Sequence, residues 1–132
     1  MQIAEADVER ARELRKRIAD AFDAPSESSA VAILNGLVAE LGAPPQLELH
    51  GETWEFRSWP VDPAGLDTAV AIGAIGLLEA IRDLGWTRLG RCAGSPCRCV
   101  YVDRSRNRSR RFCCTLCADR VAQASYRRRR AR

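Results

Sequence analysis

Six cysteines, at positions 92, 97, 99, 113, 114 and 117, crowd into one short stretch of a 132-residue chain. Thiolates bind borderline-soft metal ions and are also the species that oxidise, so this stretch is where the chain could do chemistry. A structural zinc site takes four thiolate or imidazole ligands in a tetrahedron, usually delivered as two pairs with a few residues between members. Cys92-Ala93-Gly94-Ser95-Pro96-Cys97 supplies one pair, with the glycine and proline of a tight knuckle turn, and Cys113 and Cys117 supply the other. The 15 residues between the pairs leave room for a hairpin in which Val100, Tyr101 and Val102 form one strand. A helix beginning near Cys117 and running through Val121, Ala124 and Tyr126 would complete a treble-clef-like finger. Spacing alone leaves the ligand set open, because Cys114 and Cys117 also make a Cys-x-x-Cys pair and Cys99 neighbours Cys97. Two spare thiols beside a metal-thiolate centre would also suit a redox switch that expels the metal and releases a partner. Catalytic zinc is disfavoured, since such sites keep an open position and usually draw on histidine or carboxylate.

The same segment is strongly basic. Residues 88–132 carry 14 arginines against Asp103 and Asp119, a net of +12, whereas residues 1–87 carry 7 basic and 15 acidic side chains, a net of −8. Binding one Zn²⁺ with loss of four thiol protons leaves the finger at about +10. Such asymmetry between halves suggests a scaffold or sensing part joined to a polyanion-binding part. Arg104, Arg106, Arg108, Arg110 and Arg111 lie on a connection rich in serine and asparagine, all able to donate hydrogen bonds to phosphate. Arg120, Arg127, Arg128 and Arg130 follow on the expected helix, where an arginine fork could meet guanine O6 and N7 in a major groove. Two or more of the loop arginines could instead pair with Asp103 or Asp119, or cover the thiolates. Double-stranded DNA is the expected partner, with structured RNA the rival polyanion.

The run Asp103-Arg104-Ser105-Arg106-Asn107-Arg108-Ser109-Arg110-Arg111-Phe112-Cys113, together with Arg91-Cys92, Cys97 and Cys117-Ala118-Asp119-Arg120, resembles the CGNR zinc finger family. The resemblance implies that Cys92, Cys97, Cys113 and Cys117 hold one structural zinc ion, with Cys99 and Cys114 outside the set. The tetrapeptide that names the family departs here, with Ala118 in place of its glycine and Asp119 in place of its asparagine. Upstream, Leu34-Asn35 with Leu37, Pro45-Gln46-Leu47, Trp54 and Arg88-Leu89-Gly90 are similar to the domain that accompanies this finger, called ABATE or stress-induced-regulator-like. The resemblance implies a transcription regulator, a function the family is assigned on account of its basic finger.

The fold class expected is mainly α with a small β-hairpin: a helical domain over residues 1–87, then the finger over 88–132. Val8, Ala11, Leu14, Ile18 and Phe22 recur at three- and four-residue steps and predict a helix from Ala4 to Ala24. Pro25 to Ser29 breaks it and caps a second helix with a stripe of Val31, Leu34, Leu37, Val38 and Leu41. Leu47, Leu49, Trp54 and Phe56 alternate with polar neighbours about His50-Gly51, which predicts a hairpin. Asp62-Pro63 reads as the start of a third helix through Val70, Ile72, Ile75, Leu78, Ile81 and Leu84, expected at the centre of the core. The segment from residue 88 has few large apolar side chains, and so thin a core needs a staple, for which a metal is the natural candidate.

His50 reads as a turn residue rather than a ligand or base. No nucleophile–base pair or phosphate-cradling glycine loop stands out, so an enzyme is not expected. The apolar stretch Thr68–Leu78 is far short of the ~20 residues of a membrane span, and the acidic start lacks the features of a secretory signal. A cytoplasmic, nucleoid-associated bacterial protein is the expectation. A single small module buries only ~600–1,000 Å² of protein surface on DNA, which makes a homodimer the further expectation.

Overall fold

A computed structural model describes residues 5–42, 45–58 and 65–131; for strand residues other than Leu49 it describes the backbone alone between 45 and 58. The element order is α1 (Glu5–Phe22), α2 (Glu27–Glu40), β1 (Pro45–His50), β2 (Thr53–Ser58), α3 (Leu66–Leu84), β3 (Leu89–Arg91), β4 (Val100–Val102) and α4 (Thr115–Arg130). The chain divides into two compact units, residues 1–79 and 80–132.

In the first unit α1 and α2 form a helical hairpin. Ser26 caps α2, its Oγ accepting from the Ser29 N–H at 3.2 Å, and Gly42 ends it at a positive φ of 63°. Leu14 of α1 and Leu34 and Leu37 of α2 are fully buried, joined by Ala21, Ala30 and Leu41. The expected stripes are therefore present, though Val8 lies on the exposed side. At the rim, Glu40 accepts from Arg17 at 2.6 Å and from Arg10 at 3.3 Å, and Arg10 reaches Asp67 of α3 at 3.5 Å. These are exposed pairs and contribute little each. β1 and β2 pair antiparallel with Leu49 opposite Trp54 and His50 opposite Thr53, and Gly51 takes the left-handed conformation of the turn.

α3 buries part of the expected stripe, with Ile81 buried and Val70, Ile75 and Leu78 half-buried. Thr68, Ala71 and Ala74 are buried while Ile72 is 46% exposed. At about 100° per residue, Ile72 falls outside the arc that Ala71, Ala74 and Ile81 share. The expected Asp62-Pro63 cap lies outside the described residues, as do the side chains of His50 and Trp54.

The second unit opens on the end of α3 and a single 3₁₀ turn, Trp86–Arg88. β3 and β4 pair antiparallel with Gly90 opposite Tyr101. A Cβ on Gly90 would lie 2.7 Å from the Tyr101 ring, so the aromatic side chain occupies space that only glycine leaves free. α4 starts at Thr115, two residues before the expected Cys117, with Cys114 at its N-cap. Among the described residues no helix is long and apolar enough to cross a membrane.

Candidate metal centre and basic surface

Two pieces of local geometry bring the cysteines together. The knuckle between β3 and β4 is closed by the Cys92 N–H on the Cys99 carbonyl at 2.9 Å and the Cys97 N–H on the Gly94 carbonyl at 2.7 Å. The Gly94 N–H then points at the Cys92 sulfur at 3.4 Å. A Cβ on Gly94 would stand 3.2 Å from Cys117 Cβ, so glycine lets the knuckle close onto the first turn of α4. The Ala93 N–H donates to the Arg111 carbonyl at 2.8 Å and ties the knuckle to the chain leading into Cys113.

The Sγ atoms of Cys92, Cys97, Cys113 and Cys117 all lie within 4.8 Å of one another. Zn–S bonds of about 2.3 Å make a tetrahedron with edges of about 3.8 Å, and Cys97–Cys113 and Cys113–Cys117 stand at 3.7 and 3.8 Å. Protonation chemistry fits the same ion. The backbone N–H of Cys113 and that of Gly94 pull the Cys92 thiol down to about 7, whereas burial pushes Cys117 up to about 11 and Cys113 higher still. Four thiols so close cannot all ionise without a cation among them, and a divalent ion of borderline softness supplies that charge. The residues present thus fit one zinc ion in a closed, structural site. Cys99 and Cys114 are exposed at its edge, with Cys114 Sγ 3.8 Å from Cys113 Sγ.

The arginine connection is organised by a residue that the sequence offered only as an ion-pair partner. Asp103 is buried, and its carboxylate accepts from the Ser105 Oγ, from the Ser105 N–H at 2.8 Å and from the Arg110 N–H at 3.2 Å. The Ser105 hydroxyl, then its N–H and that of Arg110, hold the carboxyl below its ordinary range. The Ser109 N–H closes the loop on Ser105 Oγ at 2.9 Å. An aspartate followed two residues later by serine is the pattern of a local side-chain turn, and that signal stands in the sequence at Asp103-Arg104-Ser105.

The arginines divide into two groups. Arg110 lies 4.9 Å over the Tyr101 ring, donates to the Phe112 carbonyl at 3.0 Å and to that of Cys113, and its own carbonyl accepts from Tyr101 Oη at 2.7 Å. Arg88 donates to the Asp103 and Ser105 carbonyls, and Arg91 to the Arg98 carbonyl at 2.9 Å. These three are committed to the fold of the finger. Arg104, Arg106, Arg108 and Arg111 point outward and exposed, Arg111 over the Phe112 ring at 5.8 Å, and Arg108 holds a left-handed φ of 52°. On α4, Arg120, Arg127 and Arg128 are exposed. Leu116 and Gln123, not singled out by sequence, are exposed there too, and the only hint of them was their helical spacing from Arg120 and Arg127.

Comparison with known proteins accounts for both parts of the chain. Residues 88–130 match the CGNR zinc finger model, whose metal is the zinc ion that the four thiols suit. Residues 2–81 match the ABATE model, described as "Putative stress-induced transcription regulator". No curated protein matches the chain. The protein belongs to the ABATE family and carries a CGNR zinc finger at its C-terminal end.

Proposed function

We propose that the protein is a cytoplasmic, nucleoid-associated transcription regulator that binds double-stranded DNA through its finger and catalyses no reaction. The observation that carries this reading is the Asp103-centred loop, which spends one aspartate and two serines on fixing its backbone and leaves Arg104, Arg106 and Arg108 exposed on its outside. A rigid, cationic loop binds phosphates at little cost in ordering, and a non-glycine residue held left-handed at its tip is a local strain of the kind that collects at functional sites. Zinc, when bound, keeps the loop and α4 in one fold. Pairing of two chains would double the surface offered to DNA.

The test is duplex-DNA retention by the zinc-loaded full chain as a function of salt, with duplex RNA as competitor. If 6–8 phosphates are contacted, the log–log slope is about −5 to −7. Replacing Arg104, Arg106 and Arg108 together by alanine should flatten it by roughly 3, about one per lost phosphate contact. Two half-sites in the selected DNA would mark a pair of chains on one site. Failure to retain duplex DNA at near-physiological salt, or displacement of DNA by RNA at equal concentration, would overturn the reading.

A further inference from the structure

α4 turns one side toward the finger: buried Cys117 and half-buried Ala118, Val121, Ala124 and Ser125 define it. At about 100° per residue, Leu116, Asp119, Arg120, Gln123 and Arg127 fall on the opposite side, within an arc of roughly 100°, and all five are exposed, Leu116 by 72%. Arg128 points away from this arc. Arg130 leans back on its own helix, with its guanidinium 5.7 Å over the Tyr126 ring and 3.3 Å from the Tyr126 hydroxyl.

The chemistry of the arc is that of base edges rather than of phosphates alone. An arginine fork fits guanine O6 and N7, a glutamine amide fits adenine N6 and N7, a carboxylate accepts from cytosine N4, and an apolar side chain meets the thymine methyl. Asp119 is the residue that separates the two readings. A carboxylate on a helix face that meets a polyanion is repelled by every phosphate. Asp119 also lies past the first turn of α4, where the helix dipole no longer favours a negative charge. Against DNA, its complement is an exocyclic amine. An α-helix fits the roughly 12 Å width of the major groove, where those amines are displayed.

We infer that α4 reads base edges in the major groove through Asp119, Arg120, Gln123 and Arg127, and that Asp119 selects cytosine at one position of the site. The inference rests on the duplex-DNA binding proposed above. Its test is selection from a random duplex-DNA pool by the zinc-loaded full chain and by Asp119→Asn, Arg120→Ala and Gln123→Ala, with the loop variant Arg106→Ala as control. Zinc content equal to that of the parent verifies the fold of each variant.

The parent should enrich a discrete motif. Asp119→Asn should move preference at one position from cytosine toward adenine, changing the ratio by roughly 5- to 150-fold. Arg120→Ala and Gln123→Ala should each relax a neighbouring position, while Arg106→Ala weakens all sequences alike. If the α4 variants keep the parental motif and lose affinity uniformly, or if the parent retains DNA without enriching any sequence, α4 is a phosphate clamp and the inference fails while DNA binding stands. If the parent retains no duplex DNA, both fail.

Discussion

Asp103 carries more of the basic loop than any arginine in it. Its two oxygens satisfy the amides of Ser105 and Arg110 and the Ser105 hydroxyl, so the spacing of the exposed guanidiniums is set by a carboxylate. Asp103→Asn keeps the volume but turns an NH₂ toward one of those donors. The Ser105 and Arg110 amides should then exchange roughly tenfold faster or more, read by hydrogen exchange at pH 7, with zinc content unchanged; unchanged protection would show that the loop is held by other means. Because Asp103 is held below its ordinary pKa in the folded chain, its contribution is complete above the usual carboxylate range of about 4. It is lost as pH falls through the lowered value. At this scale a metal centre was legible in the paired cysteines, but spacing left the ligand set open, and it was the family resemblance that named the four whose sulfurs converge. The fate of Arg88 and Arg110 was not legible, because a guanidinium bonds carbonyl or phosphate with equal ease, and only the closed loop shows which carbonyls are within reach.

Among the elements, periodicity located α1, α2 and the β1–β2 hairpin, whose signals are local: Ser26 at a cap, glycines after α2 and in the turn, alternation in the strands. It gave the buried side of α3 only in part, since Ile81 is buried but Ile72 falls outside the arc of Ala71, Ala74 and Ile81, and apolar type alone does not say which side of a helix is covered. The strand β3 shows the same limit. Gly90 reads as a neutral residue until it is seen under the Tyr101 ring. Gly90→Ala should displace that ring, together with its hydrogen bond to the Arg110 carbonyl, and destabilise the zinc-loaded finger by about 1–3 kcal/mol. Gly36→Ala, in open space within α2, should instead stabilise the chain by up to about 1 kcal/mol. Paired thermal unfolding curves of the two variants check both signs, and equal effects would mean that the contact with Tyr101 is immaterial.

The two units differ in what holds them. The first has a helical core with Leu14, Leu34 and Leu37 fully buried, whereas the described buried residues of the second are Ile81, Gly94, Asp103 and Cys117. So thin a core makes folding of the finger inseparable from its metal. A strong chelator should therefore abolish the helical signal of α4 and all DNA retention while α1 and α2 persist, seen by far-UV circular dichroism and as a calorimetric transition of the first unit that does not move. A melt of both units together on chelation would refute this independence. The charge division between residues 1–87 and 88–132 was legible because charge needs no fold to be counted. α4 is moored near its start. The helix has 16 residues, about 24 Å, and its buried anchor is Cys117, in its first turn. It therefore acts as a lever: rocking by 5° about that anchor moves Arg120 by about 0.4 Å but Arg127 by about 1.3 Å. Pairing with a base edge tolerates the first displacement far better than the second. Under the proposed major-groove reading, the information written into a binding site should then be graded, sharp at the moored end of the helix and blurred toward the arginine tip.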